Sequence, residues 1–236
     1  MRFFQREAEI IDLVRGQKVL HLGCVGFSDL PSAERTRLAD HSFHRTLSQI
    51  ADVTGIDNAE DAIIELRRKH IFDNILVGDL EHLEALDLDA TFDAVVAGDV
   101  IEHVSNPGLM LDGLRRFCRP DTRVLFTTPN TFGVLNFARF VFGRFRDGAD
   151  HVMGFNEQNL TTLLRRHGFV VDEVHTCYQR RVESAHPRAL VSMVRFFLRM
   201  LPRLGGTLFV VAKAGVSAPN EVTARAFGID AVVAEV

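Results

Sequence analysis

The pattern that most limits what this chain can become is a repeated alternation of short apolar runs with stretches of helical periodicity. KVLHLG (18–23), DVTGID (52–57), NILVGD (74–79), TFDAVVAGD (91–99), TRVLFTTPN (122–130), FVVDEVHT (169–176) and GTLFVVAKA (206–214) read as strands. Residues 3–15, 36–51, 59–70, 107–118 and 156–168 read as amphipathic helices. Asn156 supplies an N-cap for the last of these and Gly168 a C-terminal stop. Strands alternating with helices imply βαβ units and a mostly parallel sheet. Right-handed crossovers make that sheet doubly wound. Such sheets bind ligands outside the C-terminal ends of their strands, at the point where strand order reverses. Asp57 and Asp79, which end consecutive strands, therefore fall on the expected binding edge.

A chain of 236 residues suits one α/β domain, residues 1–236, carrying insertions. Net charge of −4 gives no global attraction to nucleic acid, so no nucleic-acid partner is expected. Cys24, Cys118 and Cys177 form no CxxC or zinc spacing, which suggests a reducing compartment. MRFFQREAEIIDLV lacks the apolar core of a signal peptide, and no apolar run of about 18 residues occurs. A cytoplasmic protein without a transmembrane segment is the expectation.

In VLHLGCVGFSD, Gly23, Cys24 and Gly26 form the turn after the first of these strands. Glycines there let the backbone approach a ligand without a Cβ in the way. Asp57 can accept bonds from two ribose hydroxyls and Asp79 from an adenine amino group. Either acid can instead cap the helix that follows it. The GxGxxG spacing of a dinucleotide site is absent. A ligand with ribose and adenine but no pyrophosphate fits better.

Taken in order, VLHLGC, VTGIDN, VGDLEHL, FDAVVAGDVIEHVSNPG, RVLFTTPN and NEQNLTTLLRRHGF resemble the class I S-adenosylmethionine-dependent methyltransferases. The branch is that of the ubiquinone-biosynthesis and bacterial sugar or glycan O-methyltransferases. The resemblance runs from about Lys18 to Ala214. It implies a Rossmann-like sheet of seven strands with the last antiparallel. It also implies S-adenosylmethionine held by Gly23, Cys24, Gly26, Asp57, Asn58, Asp79, Leu80, Ala97 and Asp99. The chain departs from the first family motif: His21 replaces its acid, and Val25 and Phe27 replace two glycines. A cofactor-binding module without catalysis is the corresponding alternative.

AGDVIEHVSNPG (97–108) crowds Asp99, Glu102 and His103 together. Asp99 with Glu102 has the form of a capping box. On a helical turn the three would share one face, beside the transferred methyl. Asp150-His151 follows the fifth of these strands and can reach the same edge. The arrangement resembles, locally, the magnesium-dependent small-RNA 2′-O-methyltransferases, whose pattern falls on Asp99, Glu102, His103 and His151. Two chemistries are open. His103, or else His151, accepts a proton from a hydroxyl acceptor. Alternatively, Asp99, Glu102, His103 and His151 hold Mg²⁺ or Mn²⁺, which lowers the hydroxyl pKa. His41 and His44 read as solvated positions on the helix after the cofactor turn.

Two insertions, 131–155 and 179–206, interleave Phe, Leu and Val with Arg. They read as covers for the substrate side, serving as a lid, a homodimer surface or a membrane contact. The expected partner is a small-molecule or glycan acceptor, O-methylated at a hydroxyl. A quinone or phenol acceptor is the alternative.

Overall fold

The computed structural model describes residues 1–26, 30–143, 148, 150–179 and 188–215. Among them, eight strands form one sheet: β1 Phe3–Gln5, β2 Lys18–Leu22, β3 Asp52–Asp57, β4 Ile75–Val77, β5 Phe92–Gly98, β6 Cys118–Pro129, β7 Phe169–Tyr178 and β8 Thr207–Ala214. Their order is β1-β7-β8-β6-β5-β2-β3-β4. The pairings are parallel except at β8, which runs antiparallel to both β6 and β7. The expected doubly wound sheet with an antiparallel last strand is therefore present, with eight strands rather than seven. The added one is β1. Residues 3–5 are an edge strand on β7, with Phe3 opposite Thr176. The helix expected from residue 3 begins at Arg6.

The helices are α1 Arg6–Val14, α2 Ser32–Ala39, α3 Phe43–Ser48, α4 Glu60–Arg68, α5 Pro107–Leu114, α6 Val134–Val141, α7 Glu157–Arg166 and α8 Arg188–Met200. The helix expected over 36–51 is broken in two. Ser42 is extended, and its hydroxyl accepts from the Arg45 amide at 3.1 Å, which starts α3 afresh. Asn156 caps α7 in a reciprocal box with Asn159, and Gly168 follows the helix at φ +77°.

Both faces of the sheet are covered, which is why its strands read as nearly unbroken apolar runs. Along β5, Val95 and Ala97 join the core that contains Leu111 of α5 and Leu160 of α7. Ala94 and Val96 join the opposite core, with Ile10 and Val14 of α1 and Leu47 of α3. No helix among the described residues is long and apolar enough to cross a membrane. The insertion segments 131–155 and 179–206 lie partly outside the described residues; their described helices are α6 and α8.

Candidate active site

A cavity of about 570 Å³ opens at the C-terminal ends of β2 to β5. It is lined by Gly23, Gly26, Asp57, Asn58, Asp79 and Leu80, and on the far side by Asp99, Val100, His103 and Asp150. The turn after β2 depends on Gly23. Its φ is +63°, and a Cβ there would stand 2.3 Å from Val100 Cγ2. Gly26 has no such constraint, since a Cβ there meets nothing within 4 Å. Phe27 lies outside the described residues.

Asp57 is buried and holds the turn together. One carboxylate oxygen accepts from the Val25 amide at 2.7 Å, the other from Ala59 at 3.1 Å. Each oxygen keeps a further lone pair, and Asp57 lines the cavity. Capping and ligand binding are compatible roles here. Asp79 likewise accepts from the Glu81 amide at 2.9 Å while lining the cavity. These groups fit an adenosine-containing cofactor: two carboxylates on adjacent strand ends, and a turn whose backbone comes close because no side chain intervenes. Two of the expected cofactor residues do not line the cavity. Cys24 is buried against the Gly55 side of the turn, and Ala97 is enclosed in the core.

His21 faces away from the cavity. Its Nδ1 lies 3.1 Å from Nδ1 of His44, and the rings stack with centroids 5.3 Å apart. His44 is fully buried, not solvated as its helical position suggested, and its Nε2 meets Asn74 Oδ1 at 3.3 Å. Burial drives the pKa of both imidazoles down, that of His44 to about 4.

Asp99 does not form the expected capping box. It sits at φ +52°, in the left-handed region, and the chain continues as a turn until α5 begins at Pro107. Its carboxylate is taken instead by Arg6 of α1, by Gln179 after β7, and by the Thr127 hydroxyl at 3.1 Å. Asp99 therefore stands apart from the cluster that Glu102, His103 and His151 do form. In that cluster one donor atom from each residue lies within 4.8 Å of the others. The His103 and His151 rings meet edge to face at 4.6 Å. Residues distant in sequence arrive here because the Glu102 carbonyl accepts from the Val152 and Met153 amides at 2.9 and 3.3 Å. That anchor also sets Asp150 Oδ2 3.1 Å from His103 Nδ1. Glu102 is 1% exposed, and neither carboxyl oxygen is hydrogen-bonded at ordinary geometry. Burial pushes its pKa up to about 7.

Sequence reasoning missed Glu81. Its carboxylate accepts from the Ser105 and Asn106 amides at 2.7 and 3.0 Å and so holds the turn that carries His103. Three acids within six residues, Asp79, Glu81 and Glu84, give no local sign of which one turns inward. Leu30, Val100 and Val104 form an apolar wall of the cavity that was not foreseen either.

A family model described as a methyltransferase domain matches residues 7–174. The mitochondrial ubiquinone biosynthesis O-methyltransferase of Schizosaccharomyces pombe is 33% identical over 118 residues, covering 48% of this chain and 38% of that protein. The ubiquinone biosynthesis O-methyltransferase of Aromatoleum aromaticum is 28% identical over 142 residues, covering 58% and 52% respectively. The match to these curated relatives thus spans about half of their length or less. Among solved structures, a SAM-dependent methyltransferase from Thermotoga maritima superposes with a TM-score of 0.57 at 15% identity, covering 88% of this chain and 87% of that one. One from Archaeoglobus fulgidus gives 0.55 at 18% identity, covering 88% and 91%. With two thirds of its length inside the family model and its sheet superposing on these enzymes, the chain belongs to the methyltransferase-domain family and has the class I S-adenosylmethionine-dependent methyltransferase fold.

Proposed function

We propose that this protein O-methylates a hydroxyl of a sugar or glycan-type acceptor, with His103 as the general base. The observation that carries this reading is the placement of His103. It lines the same cavity as Asp57 and Asp79, and Asp150 engages its Nδ1, which leaves Nε2 as the nitrogen for a base. S-adenosylmethionine supplies a methyl group already activated on a sulfonium. The chain's own tasks are then to bind, align and deprotonate. Gly23, Asp57, Asn58, Asp79 and Leu80 hold the donor. An aliphatic hydroxyl is a poor nucleophile while protonated, so a base contributes on the order of 10²–10⁴-fold.

Two further readings each have an observation behind them. The curated relatives are named for ubiquinone biosynthesis, which favours a phenolic acceptor. A phenol ionises more readily, so His103 matters less there. The cluster of Glu102, His103 and His151 favours metal assistance, because the buried Glu102 carboxyl has no hydrogen bond at ordinary geometry. One carboxylate with two imidazoles suits Mn²⁺ better than Mg²⁺. Those three residues would hold the ion, which would lower the pKa of the acceptor hydroxyl.

A transfer assay with labelled methyl donor over sugar and phenol acceptors, with and without EDTA, separates these readings. Turnover on a sugar hydroxyl that survives EDTA supports the first. Turnover only on phenols moves the acceptor class. Loss in EDTA with recovery on Mn²⁺ assigns the cluster to a metal. Transfer only to amine or carbon acceptors defeats O-methylation.

A further inference from the structure

Among the described residues, helices α6 and α8 carry apolar surface that nothing covers. None of the eight residues of α6 is buried, although the helix reads VLNFARFV. Phe137 is 55% exposed, and Phe132 and Phe142, which flank the helix, are 62% and 76% exposed. On α8, Val194 and Leu198 turn toward the protein, while Met193, Phe196, Phe197 and Met200 stand 44–69% exposed. Those four fall at i, i+3, i+4 and i+7, a single helical face. Isolated apolar side chains on a surface need no explanation, but a whole helical face does.

The two helices belong to one region. Gly133, just before α6, packs against Gly205 and Gly206, just after α8. The Asn130 side chain donates to the Arg203 and Gly205 carbonyls at 3.2 and 2.8 Å. The region adjoins the cavity. Arg195 of α8 lies over the Tyr178 ring at 4.4 Å, and the next residue, Gln179, bonds Asp99 in the cavity wall.

Charge identifies what covers it. Residues 132–142 and 191–204 contain Arg139, Arg195, Arg199 and Arg203 and no acid, in a chain of net charge −4. Arg203 pairs with Glu157 at 3.7 Å, with both side chains accessible to solvent. Arg139 and Arg199 make no ion pair among the described residues. A second copy docked on this face would set arginine against arginine. An anionic bilayer supplies both an apolar depth for Phe and Met and negative headgroups for the guanidinium groups above them.

We propose that the face built by α6 and α8 docks on an anionic phospholipid bilayer and sets the cavity edge at its surface. Co-sedimentation with vesicles tests this, because it reads binding without methyl transfer. Vesicles of phosphatidylcholine mixed with phosphatidylglycerol are expected to bind the protein at least about tenfold better than phosphatidylcholine alone. Raising the salt concentration should release the protein. The pairs Phe196→Ser with Met200→Ser, and Arg139→Glu with Arg199→Glu, should each remove that binding by a similar factor. Their affinity for S-adenosylhomocysteine should stay unchanged, which reports an intact fold and keeps this result separate from the function proposed above. No binding to the mixed vesicles overturns the proposal. So does equal binding to both vesicle types, or a dimer that these substitutions dissolve in a protein that ignores vesicles.

Discussion

Asp150 Oδ2 stands 3.1 Å from His103 Nδ1, joining the loop before α7 to the turn after β5. Asp150 is far more exposed than His103, with side-chain exposures of 77% and 32%. On the proposed reading, Asp150 fixes which imidazole nitrogen faces the cavity that both residues line. Replacing His103 with Ala is expected to lower kcat on a sugar hydroxyl by about 10²–10⁴-fold. Asp150→Asn should lower kcat by about tenfold, the scale seen when the partner orienting an imidazole is lost. It should leave KM for the methyl donor unaltered. Initial rates over a range of donor concentrations separate kcat from KM; a rise in donor KM with steady kcat would place Asp150 in donor binding instead.

The donor side makes its own demand. Gly23→Ala meets both a left-handed φ of +63° and Val100 Cγ2 at 2.3 Å. Strain of this kind is on the order of 1–3 kcal/mol. The variant should lose about tenfold or more in affinity for S-adenosylhomocysteine, each tenfold being about 1.4 kcal/mol. Adding Val100→Ala removes the clash but not the φ, so recovery should be partial. Full recovery in the double variant would show that the backbone angle is unimportant. Calorimetric titration of each variant reads the outcome.

Glu102 tests whether the histidine cluster works with a proton or a metal. Its carboxyl is raised from 4.5 to about 7, above its unfolded value. The folded state therefore holds the extra proton between those values, and stability falls as pH rises through that window. Glu102→Gln removes the charge while keeping the shape. It is expected to stabilise the protein above pH 7 by about 2–3 kcal/mol and to leave methyl transfer intact. Denaturant melts at pH 5 and 8, with assays in EDTA and in added Mn²⁺, measure both. If the variant loses activity, and Mn²⁺ raises the Tm of the wild type alone, Glu102 is a ligand.

What could be read from the chain, and what could not, follows from where the determining contacts lie. Strands β2 and β5 were legible because burial on both faces leaves a nearly unbroken apolar run. Strand β1 was hidden, since its pairing partner β7 lies at the other end of the sequence. Asp57 and Asp79 were legible as strand-terminal acids. Asp99 carried a true local capping pattern, but Arg6, Gln179 and Thr127 competed for its carboxylate and won. The meeting of His103 with His151 and Asp150 rests on amides donating to the Glu102 carbonyl, and backbone pairing of that kind leaves no mark in residue type.

His21 and His44 stack in the core with their Nδ1 atoms 3.1 Å apart, and burial holds both below the usual imidazole range. At 3.1 Å one Nδ1 must carry the proton and the other accept it, so both rings cannot be cationic without losing that bond. The sign of the pH effect follows. In the unfolded chain His44 titrates near 6.5, and in the fold near 4. Between those values the unfolded state binds more protons, so stability is lost as pH falls. His44 alone accounts for about 3 kcal/mol of that loss, and His21 adds to it in the same direction. Opposite slopes are thus expected from His44 and Glu102 across mildly acid pH. Because Phe72 meets the His44 ring edge to face at 4.9 Å, an aromatic replacement has a partner in place. His44→Phe should flatten the dependence of Tm on pH between about 4 and 6.5. Melts of the wild type and the variant across that range decide it. Parallel curves for the two proteins would mean that His44 titrates alike in the folded and unfolded chain, and would overturn the depressed value.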